Sequence, residues 1–378
     1  MNRKQLGLLL FVSLVPFIGY LLNPNLAYTD SYAFLMGSCG LHPNFIIPLM
    51  PCNVFAIKGI LVGLYAVSIF SLAFFGQKVL GKEGWKVGFY SATLSPLIFQ
   101  LALAFENDIF GWALVFLGFG SFGLGYGQTK RLKKHLYCFL GFCLCFLGTF
   151  AWLGAYLGVL TYSLMWFPAL IISIPIAAYW LPYILNYFVQ WLNPELAIAE
   201  EQTGAGIIPV MFVFWASFRW PKNMVFPLAT WTSFIIGFLK IKYMLFAVPL
   251  LMLNFIKFEE EMKPKFKHWP NLIVVGLVFA CAFNIFGFYA TPTIQDFYVI
   301  EQGIGLAMDN NVPLLNSWSL GWWLEYKGYP TQFKACYPDA NFEVAERPFY
   351  ALSKNDLNLG CVLLNKSVSV RLYHCGKT

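Results

Sequence analysis

Long apolar segments separated by short polar turns occupy the first 289 residues. A helix of about 20 apolar residues is enough to cross the hydrocarbon core of a bilayer. The pattern therefore predicts about eleven transmembrane helices. They lie near residues 5–22, 56–76, 88–104 and 109–127, with three within 136–189, and then near 207–218, 224–239, 243–257 and 270–289.

The pattern changes at residue 290, where short apolar runs alternate with turn residues. This last segment of 89 residues carries 15 of the 43 charged residues of the chain. It predicts a small mixed α/β domain with one helix near 296–308 and a few strands, one of them from Val368 to Tyr373. We thus divide the chain into a transmembrane domain, residues 1–289, and a C-terminal domain, residues 290–378.

The composition supports a membrane protein. Hydrophobic residues make up 59% of the 378 residues and charged residues only 11%, whereas an ordinary soluble domain carries about 25% charged residues. A water-soluble fold of this size cannot bury so much apolar surface. The composition therefore excludes a cytosolic enzyme, a DNA-binding module and a disordered chain.

Lys and Arg residues are distributed unevenly between the two sides of the predicted transmembrane domain. If the N-terminus is cytoplasmic, fifteen of them fall on the inner side, and only Lys58, Lys240 and Lys242 fall on the outer side before residue 290. Cytoplasmic loops of membrane proteins carry such an excess. We expect a cytoplasmic N-terminus, an extracytoplasmic C-terminal domain and no nucleic-acid partner, because the net charge of +7 follows from these loops.

Five of the nine cysteines fall on the predicted outer side, where a disulfide can form. The first choice is a bond between Cys39 and Cys52, which share one loop. The nine cysteines show no spacing typical of a zinc site. The five outer cysteines are Cys39, Cys52, Cys336, Cys361 and Cys375.

Acidic residues of the transmembrane domain cluster at its predicted outer edge. Asp30 lies in the first outer loop, and Glu106 and Asp108 lie in a short turn between two apolar helices. Each alone is typical of a solvated loop end, but three carboxylates on one face repel each other unless a cation neutralises them. Carboxylate oxygens suit Mg²⁺ or Mn²⁺. We therefore predict a divalent metal site formed by Asp30, Glu106 and Asp108.

Two lysines, Lys240 and Lys242, lie at an outer junction between predicted helices. One interpretation is that their charged ends reach toward the lipid headgroups. The other is that they bind a phosphate or pyrophosphate group, since the outer side carries almost no other positive charge. The sequence leaves both interpretations open.

In order along the chain, four segments resemble motifs of the GT-C glycosyltransferases, and among these the catalytic subunit of oligosaccharyltransferase. Residues 29–35 (TDSYAFL) and 105–111 (FENDIFG) resemble the two acidic motifs of that family. Residues 197–200 (AIAE) are similar to its Thr-Ile-X-Glu motif in the fifth outer loop. Residues 239–245 (LKIKYML) resemble the segment whose arginine contacts the donor pyrophosphate.

A fifth segment, residues 316–324 (NSWSLGWWL), looks like a shortened form of the family motif that reads the Ser or Thr of an acceptor sequon. The aspartate of that motif is absent, and Ser319 is the candidate for its place. The resemblance implies that Trp318, Ser319 and Gly321 bind the acceptor. The alternative is an aromatic helix at the membrane interface, where Trp is common.

The resemblance implies a GT-C-like membrane enzyme that moves a glycan from a polyprenyl phosphate or pyrophosphate to a protein or glycan acceptor. The transfer would be a direct displacement that inverts the sugar carbon. The implied site consists of a Mn²⁺ or Mg²⁺ ion held by Asp30, Glu106 and Asp108, a further catalytic residue Glu200 on a mobile loop, and Lys240 and Lys242 at the donor phosphate.

Two alternatives to an oligosaccharyltransferase-like enzyme remain open. The first is a GT-C enzyme that moves a single sugar from a polyprenyl monophosphate to a lipid, glycan or protein. The second is a non-catalytic membrane scaffold that binds partner helices or lipid. The phosphate count of the donor separates the two enzymes, and loss of function in acid variants separates both from the scaffold. We expect the plasma membrane of a prokaryote, because the chain is short.

Overall fold

A computed structural model of the chain places about half of the transmembrane domain and most of the C-terminal domain. The described residues are 1–22, 50, 53–95, 98, 105, 107–175, 178, 181–182, 228–232, 246–264, 268, 275–276, 294–328, 347–353, 356–357, 360–367 and 369–376.

Nine helices and four strands lie within these ranges. The helices of the transmembrane domain are α1 Arg3–Leu22, α2 Val54–Leu80, α3 Lys86–Leu94, α4 Asn107–Tyr126, α5 Arg131–Ala151, α6 Tyr156–Met165 and α7 Val248–Met262. The C-terminal domain contains helices α8 Ile294–Asp309 and α9 Trp318–Tyr326 and strands β1 Leu314–Asn316, β2 Phe349–Ser353, β3 Val362–Lys366 and β4 Arg371–Cys375.

The helices confirm that the chain is built as a membrane protein. Among the described residues, three are long and apolar enough to cross a bilayer: Val54–Glu83, Asp108–Tyr126 and Arg131–Ala151. The predicted total of about eleven remains a prediction, because much of 207–218, 224–239 and 270–289 lies outside the described residues. The block 136–189 begins its first helix earlier than predicted, at Arg131, and continues with the ten-residue α6.

Helix α4 lies between α2 and α5 and is packed against both through glycines. A Cβ atom at Gly123 would lie 2.9 Å from the Phe75 Cα atom of α2, and one at Gly125 would lie 2.7 Å from the Cys138 Sγ atom of α5. Small residues let membrane helices approach this closely. Buried aromatic rings fill the remaining space, with the Phe75 and Phe119 ring centroids 5.4 Å apart.

The glycine contacts also give the direction of each helix. Gly120 lies beside Ser71, and Gly127 lies beside Lys78, so α2 and α4 run parallel. Gly111 lies beside Gly148, whereas Gly125 lies beside Cys138, so α4 and α5 run antiparallel. The bundle therefore has one end where α2 and α4 begin, which we call the Asp108 end, and one where α5 begins, which we call the Lys130 end.

Helix α7 is fixed to α3 at the Lys130 end by a carboxylate. Lys86 Nζ donates to Glu259 Oε1 at 2.7 Å, and the Tyr90 hydroxyl donates to Glu259 Oε2 at 2.7 Å. Lys86 also pairs with Glu83 at 2.8 Å. The Tyr90 ring packs on Phe255 one turn deeper, at 4.9 Å between centroids. Polar contacts at the surface and aromatic contacts below them thus join the two helices.

The C-terminal domain is a small mixed sheet covered by α8. The strand order is β1-β2-β4-β3, in which β1 and β2 are parallel and the other pairs are antiparallel. Gly303 of α8 packs against Leu352 and Leu372 of the sheet. Helix α8 lies where the sequence predicts a helix near 296–308.

Two details of the C-terminal domain differ from the sequence-based expectations. The last strand begins at Arg371 rather than Val368, because Ser367 and Val370 close a turn in which Ser367 N donates to Val370 O at 2.8 Å. A disulfide joins Cys361 to Cys375 across β3 and β4. The predicted bond between Cys39 and Cys52 lies outside the described residues.

Candidate functional site

The structure describes only some of the residues that the sequence assigns to the site. Asp108 and Gly321 are described in full, and Trp318 and Ser319 are described in their backbone positions. The remaining predicted site residues lie outside the described part of the chain; they are Asp30, Glu106, Glu200, Lys240 and Lys242.

Asp108 is the second residue of α4, and only 3% of its surface is exposed. The first turn of a helix carries partial positive charge, which favours a carboxylate at this position. Phe105, which precedes the helix, and Ile109, which follows Asp108, are each 1% exposed. The sequence places Asp108 in a short turn near the membrane surface, and the structure places its carboxylate inside the protein at that level.

An aromatic layer lies one turn deeper in the bundle. Trp112 of α4 meets Trp152 edge-on at 5.7 Å between ring centroids, and Trp152 stacks against Phe246 at 6.3 Å. Phe246 is completely buried. These rings exclude water beneath the Asp108 end, and low local polarity strengthens any electrostatic interaction that a buried carboxylate makes.

Lys58 is a charged residue at the Asp108 end to which the sequence assigned no role. It lies in the second turn of α2 and is 6% exposed, with its Nζ atom 4.9 Å from the centroid of the Tyr20 ring. When the register of α2 and α4 is continued toward their first turns, Asp108 is level with Gly59, the neighbour of Lys58. A buried cation and a buried carboxylate therefore occupy the same level of two parallel helices.

The sequence contains a signal for the burial of Lys58. The buried positions of α2 include Ile57, Lys58, Leu61, Val62 and Tyr65, which repeat with helical spacing. Lys58 lies on that inward stripe rather than on the lipid side. A charged side chain on the inward stripe of an apolar helix is a functional-site candidate by this criterion alone.

The predicted metal site of three carboxylates is only partly contained in the described residues. Within that part of the chain, no group of three or more His, Cys, Asp and Glu side chains could hold a metal ion. Asp108 is the one predicted ligand of the three whose position is described. Its buried oxygen atoms are of the type that Mg²⁺ and Mn²⁺ prefer, so the described ligand fits such an ion.

The segment predicted to bind the acceptor forms the start of α9. Ser317 precedes the helix, and its backbone N–H donates to Leu352 O of β2 at 2.9 Å. Gly321 is buried in the second turn. Trp323 is 1% exposed, packs against Phe297 of α8 at 5.1 Å between centroids, and carries Lys327 Nζ over its ring at 4.4 Å. The sheet and α8 thus hold this segment in a fixed position.

The chain is similar in structure to an oligosaccharyltransferase from Archaeoglobus fulgidus. One structure of that protein, a complex with Zn and sulfate, matches with a TM-score of 0.55 and 12% sequence identity over 86% of this chain and 62% of the other. A second, tethered by a disulfide bond to an acceptor peptide containing an NVT sequon, matches with a TM-score of 0.54 and 11% identity over 88% of this chain and 64% of the other.

The likeness concerns the fold. The chain spans less than two thirds of the length of the archaeal enzyme in either structure. No protein-family model matches the sequence, and no curated protein matches it either. The chain therefore has an oligosaccharyltransferase-like fold, built from apolar helices and a small C-terminal sheet.

Proposed function

We propose that the chain is a membrane glycosyltransferase that moves a glycan from a polyprenyl phosphate or pyrophosphate donor to an acceptor on the outer face of the membrane. The observation that carries this proposal is the buried carboxylate of Asp108 at the first turn of α4, in a chain with an oligosaccharyltransferase-like fold. The sequence around it, residues 105–111, resembles an acidic motif of the same family. The fold and the motif point to the same family, although sequence identity to the solved structures is only 11–12%.

The proposed metal site consists of Asp30, Glu106 and Asp108, with Mn²⁺ or Mg²⁺ as the ion. A bound divalent cation offsets the negative charge that builds on the donor phosphate as its bond to the sugar breaks. The first turn of α4 supports this role, because it holds a carboxylate where the aromatic layer keeps water away. One structure of the archaeal enzyme contains Zn, which makes a divalent ion plausible for the shared fold.

The proposed reaction is a single displacement. The acceptor atom attacks the anomeric carbon of the sugar, the bond from that carbon to the phosphate oxygen breaks, and the oxygen leaves with the electron pair. The configuration at the carbon is inverted, and Asp30 orients the acceptor and receives its proton. Glu200 reaches in from its loop to contact the substrate or the ion. Lys240 and Lys242 hold the donor phosphate.

Lys58 extends the proposed donor site. Its ammonium group is buried over the Tyr20 ring, and the register of α2 and α4 puts it near the level of Asp108 along the bundle. A lysine acts on phosphate as a point charge, so it can stay bound to the donor phosphate as that group changes orientation on leaving the sugar. We therefore add Lys58 to the donor-phosphate residues.

A peptide acceptor is the first choice for the proposed enzyme. The archaeal enzyme of the same fold was tethered to a peptide that contains a sequon. Trp318, Ser319 and Gly321 at the start of α9 are the proposed acceptor residues. The missing motif aspartate favours the alternative, in which a single sugar passes from a polyprenyl monophosphate to a lipid, glycan or protein. The charge distribution of the loops supports a C-terminal domain on the outer side. We place the proposed enzyme in the plasma membrane of a prokaryote.

The test is a transfer assay on the full-length protein. A fluorescent peptide with a sequon is incubated with the purified chain, a lipid extract from the native source and Mn²⁺, and a mobility shift on a gel is measured. We expect a shift that EDTA abolishes and that is absent when Gln replaces the sequon Asn. Mass spectrometry of the consumed lipid counts its phosphates. Full activity in EDTA would exclude the metal, and consumption of donor without peptide modification would favour the single-sugar alternative.

A further inference from the structure

A cluster of four cations begins α5 at the Lys130 end of the bundle. The cluster consists of Lys130, Arg131, Lys133 and Lys134, and we call it the basic turn. All four side chains are exposed. Within the described part of the chain, none of the four takes part in an ion pair or hydrogen bond through its side chain.

The chain itself supplies little to neutralise the basic turn. The sequence from 109 to 194 contains no Asp or Glu, and the one acid of the preceding helix α4, Asp108, lies at the opposite end of the bundle. The first turn of α5 has no acidic residue, and Lys130 at its N-cap makes no side-chain capping bond. Cations at a helix N-terminus are repelled by the partial positive charge there, and they also repel each other. This arrangement is unfavourable for the isolated protein and becomes favourable when an anion binds.

Two other lysines at the Lys130 end, Lys86 and Lys257, are neutralised within the protein. Lys86 lies between Glu83 and Glu259, at 2.8 Å and 2.7 Å. Lys257 pairs with Glu260 at 2.9 Å. The basic turn differs from these two lysines in having several positive charges and, among the described residues, no paired carboxylate, which suits it to an anion from outside the chain.

The surface next to the basic turn is apolar and exposed. Leu132 is 82% exposed and Leu136 is 62% exposed. Phe139 and Leu140, further along the same helix, are exposed as well. In the bilayer-spanning window of α5 only 39% of the residues are buried, against 78% in α4. This apolar surface belongs in the acyl chains, which places the four cations at the depth of the lipid headgroups.

We propose that the basic turn is a binding site for the phosphate headgroups of anionic phospholipids in the leaflet at the Lys130 end. Clustered Lys and Arg next to a membrane helix attract anionic lipids. Arg131 can donate two hydrogen bonds to a phosphate, and the three lysines add point charges around it. The acyl chains of the same lipid lie along Leu132 and Leu136. The proposal does not depend on the proposed glycosyl transfer.

The test measures lipid binding by the purified full-length protein in an uncharged detergent. Native mass spectrometry counts bound phosphatidylglycerol and phosphatidylcholine as each lipid is titrated. We expect the wild-type protein to prefer phosphatidylglycerol. The variant K133Q/K134Q should lose affinity for it by about fivefold for each cation removed. The variant K133R/K134R should retain the preference, because the charges remain.

The matched control is K82Q/K263Q, which removes two exposed lysines from the same end of the bundle and leaves the basic turn intact. We expect its affinity for phosphatidylglycerol to stay within about twofold of wild type. An equal loss in both variants would show that net charge alone attracts the lipid and would overturn the site. So would displacement of the lipid by millimolar inorganic phosphate, which would identify a soluble anion as the ligand. Thermal unfolding without lipid confirms that each variant is folded.

Discussion

The two ends of the helical bundle differ in how their charged side chains are buried and paired, although the same helices form both ends. At the Asp108 end, Asp108 and Lys58 are buried to 3% and 6% exposure. At the Lys130 end, the four cations of the basic turn are exposed, and the buried Glu259 is matched by two donors. Removing a charge from water costs several kcal/mol unless partners offset it. The pairing of Glu259 therefore serves the structure, and we propose that the charges buried at the Asp108 end serve the proposed glycosyl transfer.

The largest effect is expected for the substitution Asp108→Asn. We expect the rate of glycan transfer to fall by at least about 100-fold, because the amide cannot hold the ion or offset charge in the transition state. The side chain keeps its size, so the midpoint of thermal unfolding should change little. Initial rates of peptide modification measure the loss.

The control for Asp108→Asn is Asp309→Asn, which neutralises an exposed acid at the end of α8. It should transfer glycan at the wild-type rate. A D108N variant that is as active as D309N would remove Asp108 from the catalytic site. A D108N variant that fails to fold would make its charge a structural requirement, contrary to the comparison.

The second prediction concerns the paired charges at the Lys130 end. Glu259→Ala should lower the free energy of unfolding by about 2 kcal/mol, because it leaves the half-buried Lys86 and the Tyr90 hydroxyl without their carboxylate. Glu260→Ala is the matched control on the same helix. Its pair with Lys257 is exposed at both partners, and such pairs contribute about 0–1 kcal/mol. Chemical denaturation in detergent measures both values, and equal effects would show that burial does not decide the strength of these pairs.

Parts of the two ends could be predicted from the sequence because their signals are local. The apolar segment 109–127 predicts α4, found at Asn107–Tyr126, and it places Asp108 in the turn just before the helix, whereas the structure makes Asp108 its second residue. The helix near 296–308 follows from its own spacing and is found at Ile294–Asp309. An apolar stretch needs only its own residues to define a helix.

Other features depend on contacts between distant residues and could not be read in this way. The pairing of Cys361 with Cys375 follows from the register of β3 and β4, which the spacing of the cysteines along the chain does not reveal. The level of Lys58 relative to Asp108 follows from glycine contacts between α2 and α4. The hydrogen bond from Lys86 to Glu259 joins residues 173 positions apart.

The smallest expected effect belongs to Lys58→Met, which keeps the length of the side chain and removes its charge. If Lys58 holds the donor phosphate, about tenfold more lipid-linked donor should be needed for half-maximal transfer, a loss of about 1.4 kcal/mol in binding. The maximal rate and the peptide concentration for half-maximal transfer should change less, since the proposed acceptor residues lie on α9. Kinetics at varied donor and at varied peptide separate the two effects.

The double variant K58M/D108N decides whether Lys58 serves a substrate or serves Asp108. If the two residues are chiefly each other's counter-ions, K58M alone should destabilise the protein by leaving a buried carboxylate uncompensated, and D108N should restore the stability. If Lys58 instead binds the donor phosphate, K58M replaces a buried cation with an apolar side chain and should leave stability unchanged or raise it. In that case a polyprenyl phosphate should raise the unfolding temperature of D108N but not of the double variant, because only the former retains the cation that binds it.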